Sequence, residues 1–262
     1  MPIPLGRIFV ALGLIALGVV GIISGDFALT WQPVPQWVPW RQGLAILTGL
    51  FSVACGAGLL VEPAARKAAR LACAYFVLWL LLLKTGKLFS APLVEATWNG
   101  FGEIAVLVAG GLVLDATVRP PGAPPAGRNR RILAARLLFG AALLPIGLSH
   151  FVYADFVAGL VPSWLPCRLG WGYLSGAGHL AAGLGVLLGV YPRLAAIAEA
   201  GMIMVFTLLV WLPAVGKEPT SHMQWTPFLI SWLIGAAAWV VADSYEGEPF
   251  AWGLRRLRSA QS

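Results

Sequence analysis

Three histidines stand in a chain of 262 residues where charged side chains make up only 11%. His150, His179 and His222 all fall in the second half. Imidazole can ligate a metal or haem, and it can relay protons to a quinol. Inside an apolar helix it can equally serve as an interhelical hydrogen-bonding group. His179 sits near the middle of an apolar run, whereas His150 and His222 sit at the ends of two others, on one common side. At ~1.5 Å of rise per residue, about nine residues place His179 ~13 Å below that surface. Joint ligation with His150 is then not expected unless the segment between them folds inward.

The first half offers a different pair. Glu103 lies one to two turns inside an apolar segment, and Lys84 lies at the end of the one before it. A carboxylate buried without a partner is costly, so an ion pair Lys84–Glu103 is expected. It would act as a structural salt bridge, or in transport or proton movement. Asp26 and Asp155 each open a segment that begins Asp-Phe, and both are expected to cap short interfacial helices. Cys55, Cys73 and Cys167 show no CxxC or CxxCH spacing and read as small buried hydrophobes. No P-loop, dinucleotide fingerprint, HExxH or nucleophile elbow occurs, and no catalytic or metal residue can be named from motifs.

The elements that would position these residues are membrane helices. Hydrophobic residues reach 59% and the mean hydropathy is +0.81. So few charges could not cover a water-soluble globule, which usually carries roughly 25%. The lipid bilayer is therefore the expected surroundings. The net charge is +7, but no basic run interleaves with aromatics as a nucleic-acid groove requires, so no nucleic-acid partner is expected. Eight segments approach the ~20 apolar residues of a span: 5–23, 44–61, 68–84, 98–118, 132–152, 169–190, 194–215 and 225–242. The first lacks a small-residue cleavage pattern and reads as a retained helix.

Eight spans put both termini on one side. Five of the 18 basic residues fall opposite them, namely Arg41, Lys84, Lys87, Arg168 and Lys217, and the rest lie on the side of the termini. By the positive-inside rule the termini are cytoplasmic, and the expected location is the plasma (inner) membrane. The outer connections TWQPVPQWVPWR and AGLVPSWLPCRLGW combine interfacial tryptophan with helix-breaking proline. They are expected to cap the bundle from outside.

The chain also matches itself. At an offset of 129 residues Arg7, Gly18, Asp26 and Phe27 fall on Arg136, Gly147, Asp155 and Phe156. At 127, Pro35, Trp37, Pro39 and Arg41 fall on Pro162, Trp164, Pro166 and Arg168. The expected architecture is an all-α integral membrane protein of eight transmembrane helices in two parallel-repeat four-helix bundles. Residues 1–118 form the first repeat, 119–131 a cytoplasmic Pro/Arg linker, 132–243 the second repeat, and 244–262 a basic cytoplasmic tail.

The second half, GLSHF…ADFVAGLVPSWLP…YLSGAGHLAAGLGVLLGVYPRLAAI, resembles the DoxX-like membrane proteins, and the first half does so through the repeat. The VPxWLP segment, the G-x-G-x-L-L-G helix and Arg193 carry the likeness. The resemblance implies a four-helix unit and membrane redox chemistry linked to quinone, or a role in membrane-protein assembly. Many relatives have a glutamate in the second helix of the unit where this chain has His179, or Ser52 in the first half. That glutamate's role does not carry over.

Three functions stay open: a quinone-linked redox component, a non-enzymatic assembly or scaffold subunit, and a small-solute transporter. Quinone is the first cofactor considered, with haem or metal behind it, and another membrane or redox subunit is a candidate partner. A pocket is expected at the outer side of the second half, bordered by His150, Asp155, Trp164, Trp171 and His179.

Overall fold

The computed structural model describes residues 3–29, 31–118 and 130–247. Among the described residues there are nine helices: α1 (Leu5–Ser24), α2 (Arg41–Leu60), α3 (Glu62–Ser90), α4 (Glu95–Thr117), α5 (Arg130–Val152), α6 (Ala154–Leu160), α7 (Arg168–Leu188), α8 (Pro192–Lys217) and α9 (His222–Asp243). The linker expected at 119–131 lies outside the described residues except for its last two. So does the tail expected at 244–262 except for its first four.

Seven helices are long and apolar enough to cross a bilayer. Helix α6 has only seven residues. Helix α7 has the length, at 21 residues, but its glycines together with Trp171, Tyr173, Ser175 and His179 dilute its apolar content. The eight spans expected from the sequence are therefore seven by length and composition, with the histidine-bearing helix as the difference.

Local chemistry sets the helix ends. Proline opens α3 and α8, where its missing N–H costs nothing. Gly25 and Gly189 close α1 and α7 with φ of 59° and 69°, a region that suits glycine. Trp40 and Cys167 precede α2 and α7 with φ of 56° and 53°. Helices α3 and α8 each contain a π-helical stretch, Leu80–Thr85 and Thr207–Trp211.

Consecutive long helices pack side by side: α1 on α2, α2 on α3, α3 on α4, and then α5 on α7, α7 on α8, α8 on α9. Three further contacts join the halves. Helix α4 packs on α5, α1 packs on α9, and α4 meets α9. Helices α4 and α9 are the most buried of the seven spans. The indole of Trp232 on α9 donates to the Phe9 carbonyl on α1 at 2.8 Å.

Glycine allows the closest approaches. A Cβ on Gly49 would lie 2.8 Å from the Gly18 carbonyl oxygen, and one on Gly176 would lie 2.9 Å from that of Gly147. Both are backbone contacts that cannot give way, so α1–α2 and α5–α7 cross where only a glycine pair fits.

One end of the bundle is stitched by arginines. Arg7 donates from Nε to the Leu59 carbonyl at 2.6 Å and pairs with Glu62 at 3.1 Å. Arg70 and Arg131 each reach Asp115 at 3.2 Å. Arg136 bonds Ser244 and lies over the Tyr245 ring. These cations meet the carbonyl ends of α2, α4 and α9, where the helix dipole favours positive charge.

At the other end the two halves differ. Phe27, Ala28, Trp31 and Gln32 are buried, so the segment after α1 folds into the bundle. Gln32 accepts from the Ala28 N–H and donates to the Tyr75 oxygen, both at 3.0 Å. In the segment of the second half aligned with it, Phe156, the counterpart of Phe27, is exposed, while Trp37 and its counterpart Trp164 are exposed in both. The capping expected of Asp26 and Asp155 is corrected here. Asp26 accepts from the Phe27 N–H and pairs with Arg41, and among the described residues between Asp26 and Arg41 no helix begins. Asp155 lies in the first turn of α6, whose N-cap is Tyr153 and carries no side-chain bond.

Candidate functional site

Helix α8 carries one carboxylate inside its apolar run, Glu199 in PRLAAIAEAGMIMVF. Its side chain is 1% exposed and faces α7, where His179 is also 1% exposed. His179 Nδ1 and Glu199 Oε1 are 2.8 Å apart. The second carboxylate oxygen, Oε2, is buried and has no hydrogen-bond partner. Two ionisable groups this deep hold together because each relieves the other's desolvation, and the shared bond is strong where water does not compete.

His150 on α5 completes the group. Its ring centroid lies 4.9 Å from that of His179, tilted by 50°. Nδ1 of His150 sits 2.9 Å from the Ile146 carbonyl, so that nitrogen carries a proton and donates along its own helix. The expected ~13 Å depth of His179 did not place the two rings together. Gly176 is the reason they meet. A Cβ there would lie 2.8 Å from Cβ of His150, so the bare backbone lets α5 come close. Gly176 and His179 are three residues apart and share a helix face. The His150 ring then leans along α7 onto the His179 ring.

Glu199 also borders a groove of about 500 Å³ between α7 and α8. Its walls are otherwise small or apolar, including Gly178, Ala181, Leu184, Leu188, Ala195 and Met202, and it runs to Val190 and Tyr191 in the connection between the two helices. A volume of ~300–1,000 Å³, apolar walls and a single polar group are the usual features of a small-ligand pocket. Trp164 and Trp171, 70% and 42% exposed, and the exposed Asp155 do not line it. The groove occupies the C-terminal half of α7, from Gly178 to Leu188, away from those residues.

His222 belongs elsewhere. Since α9 packs on α1, His222 lines an enclosed cavity of the first half with Asp26, Gln32, Thr48, Ser52 and Tyr75. That cavity has room for about one water molecule. At the sequence offsets of 129 and 127, Gly21 and Ser52 correspond to His150 and His179. Gly21 and Ser52 line this space, and the Ser52 hydroxyl donates to the Leu14 carbonyl at 2.8 Å.

Lys84 and Glu103 lie close enough to feel each other's charge. Lys84 is buried in the π-helical stretch of α3, with its ammonium beside Gly100. Asn99 donates to Glu103 at 3.3 Å, and Glu95, two turns earlier, feels the charge of Glu103. Of the cysteines, Cys55 and Cys73 are buried, but Cys167 is exposed ahead of α7 and is no core hydrophobe. Among the described residues, no group of three or more His, Cys, Asp or Glu is arranged to hold a metal ion.

Glu199 is the residue that sequence reasoning missed. A signal was present: a lone carboxylate in a span, which a bilayer tolerates only with a partner or a function.

A family model described as a domain of unknown function (DUF8561) matches residues 139–209. That stretch contains His150, His179 and Glu199. Comparison with curated proteins and with solved structures gives no match. The chain is similar to that domain over this stretch, and its fold is that of a polytopic helical membrane protein.

Proposed function

We propose that this protein binds an isoprenoid quinone or quinol in the groove between α7 and α8 and serves as a quinone-linked component of the membrane, in the manner of the DoxX-like proteins it resembles. The observation that carries this reading is Glu199. One carboxylate oxygen is fixed by His179, and the other is buried without a hydrogen-bond partner in a residue that lines an apolar groove. A quinone needs one or two hydrogen bonds at its head and extensive apolar contact along its tail. The redox partner is another membrane subunit.

The same proposal takes α7 as an eighth span and the chain as a duplicated four-helix unit with both termini cytoplasmic. Several paired features support it. The Trp98 indole donates to the Pro92 carbonyl and the Trp225 indole to the Pro219 carbonyl, each at 2.8 Å. The glycine crossings and the π-helical stretches recur at matching positions. The partition of basic residues supports the orientation.

The test is purification in mild detergent, extraction of bound quinone, and titration with a short-tailed quinone. Glu199→Gln and the groove-filling Ala198→Phe are each expected to weaken binding at least tenfold. Native-level binding by both variants, or none by the native protein, refutes the reading and favours an assembly subunit. Transport of a small solute is the second reading, and the group of buried Lys84 with half-buried Glu103 and Asn99 favours it.

A further inference from the structure

The groove between α7 and α8 borders Glu199 without exposing it. The Glu199 side chain is 0% exposed, and its Oε2 is buried without a partner. Its neighbours identify what covers it. Met202 stands three residues further along the same face of α8 and lines the groove as well. A helical side chain leans back over the turn before its own Cα, which for Met202 is the turn that carries Ala198 and Glu199. From there Met202 reaches across to α7. A Cβ on Gly178 would lie 2.7 Å from Sδ of Met202 and 3.2 Å from its Cε, so the thioether rests on bare backbone next to His179.

The first half shows the same crossing sealed. At the offset of 127 residues, Gly178 and Met202 correspond to Phe51 and Tyr75. Those two rings pack between α2 and α3 with centroids 5.5 Å apart, and the Tyr75 oxygen is tied to Gln32. Rings fixed by contact and by a hydrogen bond fill that crossing permanently. A glycine and a methionine fill it only while the methionine stays in place. Its unbranched chain turns about three soft bonds, and its sulfur is too weak an acceptor to tie it down.

We propose that Met202 is a displaceable cover over the His179–Glu199 pair and the residue that decides what reaches it. With the thioether turned away from Gly178, a passage floored by glycine joins the groove to the pair. A ring lying flat in the groove then meets the Glu199 carboxylate. With the thioether turned back, the pair is shut off from lipid and water. The passage is one side chain wide, so it admits a planar head group edge-on and excludes a bulky phospholipid head. The choice of ligand rests on the quinone reading, whereas the motion of Met202 does not.

The experiment needs no quinone. Dicyclohexylcarbodiimide is an apolar reagent that adds to a carboxyl group in apolar surroundings and leaves a stable N-acylurea. The full chain in mild detergent is treated with it, and labelled residues are read by mass spectrometry. Met202→Ala removes the cover and should label Glu199 at least tenfold faster than the native protein. Met202→Phe sets over Gly178 the kind of ring that the first half has there, and should slow labelling at least threefold. Labelling of Glu103, in the other half, should be the same in all three. Unchanged elution and melting temperature identify a folded variant, and Met202→Ala alone decides if Met202→Phe does not fold. Labelling of Glu199 in folded Met202→Ala at the native rate, or not at all, overturns the cover, and so does a folded Met202→Phe that labels as fast as Met202→Ala. Quinone binding is measured separately. Fast labelling of Met202→Ala in a protein that holds no quinone keeps the cover and sinks the ligand reading, and quinone binding with unchanged labelling does the reverse.

Discussion

His179 and Glu199 share a hydrogen bond of 2.8 Å while both side chains are almost wholly buried, so neither can lose the other without leaving a buried polar group stranded. Glu199→Ala is expected to cost about 3–5 kcal/mol of stability, the usual penalty for breaking a buried pair. Glu199→Gln keeps a neutral acceptor for the imidazole and should cost about 1–2 kcal/mol, in line with interhelical hydrogen bonds in bilayers. Unfolding titrations in mixed detergent measure both. Equal losses would mean that a neutral acceptor rescues nothing and that the carboxylate charge carries the whole effect.

Gly176→Ala should destabilise by about 1–3 kcal/mol, because its new methyl meets the Gly147 carbonyl and Cβ of His150. Gly49→Ala, against the Gly18 carbonyl, should behave alike. Gly201→Ala, with nothing within 4 Å, is the control and should be neutral or slightly stabilising. Thermal melting of the three variants decides the matter. A neutral Gly176→Ala would mean that α5 and α7 can separate freely.

Trp98→Phe and Trp225→Phe each remove one indole donor from a proline carbonyl. Each should cost about 1 kcal/mol, a single hydrogen bond. The two losses should match and should add, since the sites are apart. Strongly unequal losses in the same unfolding assay would argue that the two connections do different work.

Topology reporters at Gly122 and after Ser262 are expected to read as cytoplasmic. A reporter in the 218–221 connection is expected to read as external. A cytoplasmic signal from the last position would mean that α7 does not cross the membrane, and would leave seven spans.

Much of the helical organisation was legible in the sequence, because a run of ~20 apolar residues has the length of a bilayer and little else can bury it. The glycines that set the α1–α2 and α5–α7 crossings were visible as spaced small residues. The meeting of His150 with His179 was not, since linear depth along a helix ignores how far a bare glycine lets a neighbour approach. Glu199 was overlooked as one acid in a hydrophobic run, and with it went the groove. The tryptophans drew attention to the outer segment instead. Trp164 proved exposed, as did its counterpart Trp37, whereas Trp31 in the same segment as Trp37 is buried. Whether such a segment inserts depends on partners such as Gln32 and Tyr75, which no local pattern announces.

The contact of α1 with α9 fixes when this protein can become whole. The bond from Trp232 to Phe9 joins residues 223 positions apart. At a synthesis rate of ~5–20 residues per second, roughly 10–45 s separate the two helices on the ribosome. Through that interval the face of α1 that Trp232, Leu233 and Val240 later cover waits in lipid. Helix α4 finds α5 almost at once, but α1 must keep its place until the last helix arrives. A chain halted after its first four helices therefore leaves one seam open to any passing helix that fits.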